Sequence, residues 1–508
     1  MVVERAKGRL IRQLVGELRD PGLLRLRGAI VSLAAALASF GCALFLDRRY
    51  HLTTSSVVLA VVLALTLGRA DRGHARSLPH SLVAPLLLPF LAVGATEVGQ
   101  RLFTHPNLGD TLFVVGMAFA IWVRQYGARA RQVGGLIGAA LTAVLITPGP
   151  AVPLGGHVPS RWWAALIALI ALGWTRAMHA VAERTGFATR ALAERPPHAM
   201  ALPKAPAVAR RWHRRVPATT KLALQMGVAL AAAFACGREA FGLHWTWVVL
   251  SAYIVGSGNR GRGDVAHKAV LRLVGAACGT LLATALSGAF AAGDDWSIVA
   301  LFAVVAVALW LRPLSYAYWA AGMTAALALL YDFYGEVGHH LLVTRLEGIL
   351  LGASIAVVAA WIVLPVRNVD VIRRQLATAF ATLAGVVGRG PEATFDASEI
   401  ATYAGAVKLG DLAAASLHIL RHLPRRWRVA LPYATACRAL ALALPEPFRG
   451  SPVGLAMTRE SQQALAADVT SARRALAATA TDEQRDALGN TAERIAEVLQ
   501  ASYCWRYR

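Results

Sequence analysis

Twelve apolar stretches, each close to the length that crosses a lipid bilayer, constrain this chain more than any other feature. They fall at about 28–46, 52–67, 79–96, 111–123, 133–147 and 162–178, and again at about 222–238, 240–255, 270–292, 296–311, 314–331 and 345–365. Backbone polar groups in hydrocarbon must be satisfied internally, and a helix does this within one segment, so the runs read as transmembrane helices. With 56% apolar and only 16% charged residues, the chain is far from the roughly 25% charged of an ordinary soluble domain. The expected fold is all-α: a polytopic membrane protein of about twelve transmembrane helices in two parallel six-helix repeats, with a C-terminal cytoplasmic helical domain. Spans 2, 4 and 8 are short. Sixteen helical residues rise only about 24 Å against a hydrocarbon core of about 30 Å, so spans 2 and 8 must thin the bilayer, break, or lie inside the bundle.

The net charge of +23 does not indicate nucleic acid, because the cations sit in short clusters between apolar runs instead of covering one polar face. The clusters alternate from loop to loop. GRADRGHAR (68–76), VRQYGARAR (123–131), segment 176–221 and NRGRGDVAHK (259–268) are basic, whereas Asp294-Asp295 and YDFYGEVGHH (331–340) are not. Excess Lys and Arg marks the cytoplasmic side, which puts both termini in the cytoplasm. The apolar stretch after the basic first 27 residues is long for a signal-peptide core and reads as a retained first helix. The cysteines show no metal spacing. Cys42, Cys236 and Cys278 lie in apolar segments and read as small buried hydrophobes.

A shift of 188 positions superposes Gly68, Arg72 and Gly73 on Gly256, Arg260 and Gly261, and Trp122 and Arg124 on Trp310 and Arg312. With six spans per copy, the two copies share one orientation. The expected division is a basic N-terminal segment (1–27), a first repeat (28–179), a basic Pro-rich linker (180–221), a second repeat (222–365) and a helical tail (366–508). Ala-rich amphipathic stretches at about 367–388, 396–422, 425–444, 458–478 and 481–503 make up the tail. The linker, with Arg210-Arg211 and Arg214-Arg215 beside Trp212, and the Arg-Trp runs at 421–432 and 503–508 suit a membrane surface or a packed helix end equally.

The stretch AYIVGSGNRGRGDVAHKAVLRLVGAACGT (252–280) contains a formal GxGxxG. A dinucleotide site needs an acidic residue about 20 positions on, and none occurs between Asp264 and Asp294. The RGD within it falls in a predicted cytoplasmic loop, out of reach of adhesion receptors. What remains is a cationic loop between spans 8 and 9, with Asn259, Arg260, Arg262, Lys268 and Arg272 against Asp264. Lys268 and Arg272, four apart, share one helix face. Its glycines let backbones approach and free amide N–H groups for an anion; the plainer reading is a loop whose cations fix topology and meet lipid headgroups.

With this loop, six spans before it and a helical tail after it, the chain resembles the fusaric-acid-resistance and aromatic-acid-exporter family of bacterial inner-membrane proteins. The likeness is most specific through Lys268, Arg272, Gly275 and Gly279, and covers roughly 25–365 with the first copy more diverged. Plant aluminium-activated malate transporters are more distantly similar. The resemblance implies a bacterial inner-membrane location and export of small aromatic or other organic acids, beside a periplasmic adaptor and an outer-membrane duct. The malate transporters imply a homodimer with a cationic pore.

An anion path through hydrocarbon needs fixed positive charge, and Arg supplies a weakly hydrated, always charged, planar donor. Arg124 and Arg312 each end a predicted span at its cytoplasmic side, so the repeat relation predicts that they flank one entrance, with Trp122 and Trp310 stacking on an aromatic substrate. The alternative is snorkelling Arg with interfacial Trp. Proton coupling would need an ionisable group in or near the spans, for which Glu97, Glu239, His244 and Glu347 are the candidates. No GxSxG, HExxH, Walker or CxxC motif occurs, so neither an enzyme, a metal, a cofactor nor ATP-driven pumping is expected. The expected function is proton-driven export of organic acids. The alternatives are a passive organic-anion channel, or a non-transporting scaffold that presents residues 366–508.

Overall fold

The computed structural model describes residues 20, 23–50, 54–70, 83–146, 160–187, 216–286, 294–333, 339–414, 417, 430–444, 453–477 and 480–504. Residues 188–215 of the basic linker and most of the first 27 residues, expected to be cytoplasmic, lie outside them. Helices α1 (Leu24–Tyr50), α2 (Thr54–Ala70), α3 (Val83–Thr104), α4 (Pro106–Trp122), α5 (Ala128–Ile146) and α6 (Ser160–Arg184) are followed by α7 (Ala218–Phe241), α8 (Trp245–Gly256), α9 (Arg262–Leu286), α10 (Asp295–Leu311), α11 (Tyr316–Phe333) and α12 (His339–Ile362). Each of the twelve apolar stretches overlaps one of these helices. Among the described residues eight helical stretches are long and apolar enough to cross a membrane, with α7 and α8 forming one of them; α10, α11 and the apolar part of α2 are shorter.

Local sequence sets the ends. Pro106 opens α4 at the position where its missing N–H costs nothing. The Asp294 carboxylate accepts the Trp296 N–H at the start of α10. Gly242, at φ 51°, ends α7 and lets the chain re-enter helix at α8. At 12 residues α8 spans about 18 Å, too little to cross alone. Trp245, Trp247, Val248, Val249, Leu250, Ser251, Ala252 and Val255 are buried on it, so of the three fates open to short span 8 it takes the interior one. Close packing needs glycine on the neighbour: a Cβ at Gly352 of α12 would meet the Val248 carbonyl and the Ala252 amide.

The helices pack in a regular scheme. α1, α2 and α6 pack against one another, and so do α7, α8 and α12; α4 lies on α5, and α10 on α11. Between the two sets, α4 packs on α7 and α10 on α1. α5 packs on α8, and Leu65 of α2 joins Ala326 of α11 in one apolar cluster. Gly134 of α5 is pressed against the Ala120 carbonyl of α4, and Gly322 of α11 against the Ala308 side chain of α10.

A second compact unit takes residues 258–267 together with the chain from Pro365 onward. Its helices α13 (Asn368–Val387), α14 (Ala397–Ala414), α15 (Leu431–Leu442), α16 (Arg459–Ala475), α17 (Asp482–Asp486) and α18 (Leu488–Ser502) fall where the tail's amphipathic stretches place them. They bury a core that includes Leu376, Phe380, Phe395, Tyr403, Leu465 and Ile495. The all-α expectation missed a small antiparallel sheet of β1 (Thr394–Phe395), β2 (Val453–Leu455) and β3 (Tyr503–Cys504), in the order β1-β2-β3. Strands this short carry no periodic signal.

Asn368, only 4% exposed, holds the glycine-rich loop in this unit. Its Oδ1 accepts the Gly263 N–H (2.9 Å), and its Nδ2 donates to Asp264 Oδ1 (2.9 Å) and to the Ala413 carbonyl (3.3 Å). The Val366 carbonyl accepts the Arg262 N–H at 2.9 Å. A side chain at position 261 would collide with Asn368. The expectation that this loop's amides are free for an anion is corrected for those of Arg260, Arg262, Gly263, Asp264 and Val265, which all donate within the protein. The glycines serve close backbone approach to Asn368.

The cysteines also depart from expectation. Cys236 and Cys278 are exposed and Cys42 is half-buried; Cys437 is buried, and burial pushes its thiol well above the usual range.

Candidate functional site

The C-terminal end of α8 gathers the most chemistry in the helical bundle. Tyr253 lies in its last turn, and its hydroxyl and the Arg124 guanidinium both close against Gly138 of α5. Arg124 follows α4; its Nε donates to the Ala120 carbonyl (3.0 Å) and its Nη2 to the Gly134 carbonyl (3.4 Å). One turn beyond Tyr253, the Ser257 carbonyl accepts from Lys268 Nζ of α9 at 2.8 Å. A lysine here satisfies an open carbonyl and complements the negative end of the helix dipole. The same Nζ lies 5.4 Å from the centre of the Tyr316 ring, at the start of α11.

Arg272, one turn further along α9, is only 4% exposed. The Tyr316 phenol lies beside it. Neither Arg272 Nε nor the Tyr316 oxygen has a well-aligned hydrogen-bond partner, and both are cut off from solvent. Among the described residues no carboxylate pairs with Arg272. A buried guanidinium in this state carries a desolvation cost that an incoming anion would offset. Gly275 and Gly279 bring α9 against α11, where a side chain at either position would meet the Ala317 or Ala321 carbonyl. Deeper in the bundle, Arg345 of α12, also 4% exposed, donates to the Thr324 carbonyl of α11 at 3.3 Å.

The residues chosen from sequence are divided by the fold. Arg124, Lys268 and Arg272 collect around the end of α8 and the start of α11. Asn259, Arg260 and Arg262 lie in the second unit, where Arg260 pairs with Asp264 at 3.7 Å. Arg312, at the end of α10, stands 5.1 Å over the Trp319 ring of α11; α10 and α4 pack on different neighbours. The side chain of Trp310 hydrogen-bonds Asp20, whose carboxylate also accepts the Arg25 and Leu26 N–H groups at the start of α1. Trp122 packs on Phe119 and Tyr126, with ring centres 6.0 and 5.1 Å away. Of the proton-coupling candidates, Glu239 and Glu347 are exposed and Glu97 is half-buried. His244 is half-buried and stacks on Trp247 at 4.6 Å.

Sequence reasoning missed Tyr253, Tyr316 and Arg345. Arg345 carries a signal in the sequence, as a cation two residues before Glu347 inside the apolar stretch LVTRLEGILLGAS.

Residues 227–359 match a family described as fusaric acid resistance protein-like. The match covers about a quarter of the chain. The matched stretch runs from within α7 into α12 and includes Lys268, Arg272, Tyr316 and Arg345. Neither a curated protein nor a solved structure matches the chain. Besides this likeness to the fusaric acid resistance protein-like family, several of the described helices are long and apolar enough to span a bilayer, as in a multi-pass membrane protein.

Proposed function

We propose that the chain exports small aromatic or other organic acids across the bacterial inner membrane, driven by the proton gradient, and that Arg272 receives the substrate carboxylate. The observation that carries this reading is the buried Arg272 guanidinium beside the Tyr316 phenol, with Nε and the phenol oxygen both lacking a well-aligned partner. Arg124, Lys268 and Tyr253 line the approach from the cytoplasmic side, and Arg345 continues the cationic series inward. Fixed guanidinium groups replace part of the anion's hydration, while several weak sites in series keep it from binding too tightly to leave. Tyr316 and Trp319, three apart on α11, offer rings to an aromatic substrate.

The packing scheme supports two parallel six-helix repeats. Each triad and each α4-type helix on its α5-type neighbour recurs when 188 is added, the α4 and α7 seam has a counterpart in that of α10 and α1, and the glycine contact repeats: 134 with 120 becomes 322 with 308. An even number of helices per repeat and the basic loops support a topology with both termini in the cytoplasm.

The test is accumulation of aromatic acids in cells with and without the intact chain, with and without a protonophore. The proposal expects lower internal levels with the chain present, and loss of that difference when the proton gradient collapses. Flux that follows the anion gradient and persists under protonophore would make the chain a passive channel; no difference for any acid would remove transport.

A further inference from the structure

At the end of α4 opposite Arg124, two charged groups far apart in sequence meet. Arg238, in the last turn of α7, grips Asp110 of α4 side-on, with Nε to Oδ2 at 2.8 Å and Nη2 to Oδ1 at 2.5 Å. Nη2 also donates to the Leu102 carbonyl of α3 at 2.9 Å, and the guanidinium lies 4.4 Å over the Trp245 ring. Trp245 is 2% exposed, so the ring is a fixed wall. The two charged side chains are not sealed in, being 26% and 18% exposed. Arg238 is thus held from behind by an aromatic face and a carbonyl, and it presents one fork of parallel donors, the geometry that carboxylates favour. In the resting structure an internal carboxylate fills that fork.

The opposite seam lacks this arrangement. Under the shift of 188, Asp110 corresponds to Ile298 and Arg238 to Tyr50. The α10 and α1 contact is apolar, with Phe302 against Phe40 at 5.2 Å and Ala29 clustered with Val305. Among the described residues the α10 and α1 seam has no counterpart of this Arg and Asp fork, which sits at a helix end reached by solvent.

The geometry points to a second anion site at Arg238, specific for carboxylates, which Asp110 occupies as an internal competitor and which an exiting carboxylate takes by displacing it. This rests on the export reading. Displacement frees the end of α4 from α7, so binding of the substrate and opening of this seam are one event. When the substrate leaves, Asp110 returns to Arg238 and closes the seam.

Benzoate is the probe, titrated onto the full-length chain in lipid nanodiscs. Asp110→Asn removes the competitor and is expected to tighten benzoate binding about tenfold, whereas Arg238→Gln is expected to abolish that gain when combined with it. An ion pair that only fastens two helices predicts the reverse, with Asp110→Asn lowering thermal stability and leaving affinity unchanged, and that result overturns the proposal. A second measurement keeps the native pair: spin labels at Asn107→Cys and Ala240→Cys, with the native cysteines replaced by serine, are expected to move apart at saturating benzoate. An unchanged distance would equally overturn it. Arg272→Gln separates the two readings, because it is expected to stop transport while leaving the separation at 107 and 240 responsive to benzoate. Normal transport by Arg272→Gln with a responsive seam would remove Arg272 from the path and leave the Arg238 site standing.

Discussion

The helices from α1 to α6 and those from α7 to α12 share several packing contacts but not a chemistry. Arg272 shows the difference most sharply. Its counterpart under the shift of 188 is Ala84, 2% exposed inside an apolar cluster with Leu63, Leu88 and Leu172. The first set is a packed frame; the second buries Arg272 and Arg345. The family match, confined to residues 227–359, falls on the set that carries Arg272 and Arg345. Similar close contacts can be kept with small residues in both sets, while the polar residues that give one set a task are free to differ in the other.

The comparison breaks most severely if charge is moved across it. Ala84→Arg puts a guanidinium where the frame has no partner, and a charge inside a membrane helix costs about 3 kcal/mol or more. The expected result is loss of folded protein at the membrane, measured by thermal unfolding in detergent. Normal stability would mean that the frame already holds a polar path. Next in size, Gly134→Ala and Gly322→Ala should each cost about 1–3 kcal/mol by overpacking, and by similar amounts. A large cost at one site only would separate the two sets that packing joins. Smaller again, Asn368→Ala leaves the Gly263 N–H and the Ala413 carbonyl without their partner, for a loss of about 2 kcal/mol. It should lower the melting point of the second unit and spare the effects of the glycine substitutions, and coupled losses would contradict that independence.

The smallest effect lies in the second unit. The Glu399 N–H, followed by the Ser398 hydroxyl, holds the Asp396 carboxyl below its usual range. A depressed carboxylate contributes stability above its unfolded pKa of about 4 and loses it as pH falls through the lower folded value. Melting of Asp396→Ala should trail the native chain at pH 6 and converge with it as the pH drops below about 4. A gap that stays constant would assign the loss to something other than the charge.

The helices were legible because hydrocarbon demands long apolar runs, and runs of this kind survive in a single sequence. Arg272 was legible for a related reason, as a cation four residues from Lys268 at the start of an apolar stretch. Pairing across the fold was not. Asp110 and Arg238 stand 128 residues apart, and neither has a local partner to betray the other. The glycine-rich loop misled because Gly261 and Gly263 serve an asparagine more than a hundred positions later. That clasp also bears on the scaffold alternative: a fragment starting at 366 would leave Asn368 without Gly263 and Asp264. Exposed Cys236 and Cys278 show the limit of composition, which places a residue in a span without saying which face it takes.

The central claim is that Arg272 receives the anion, and flux of labelled benzoate in proteoliposomes tests it most directly. At equal reconstituted protein, Arg272→Ala should lower the initial rate at least tenfold, and Arg272→Lys, which keeps the charge without the planar fork, should recover part of it. Equal rates for all three proteins would contradict the account.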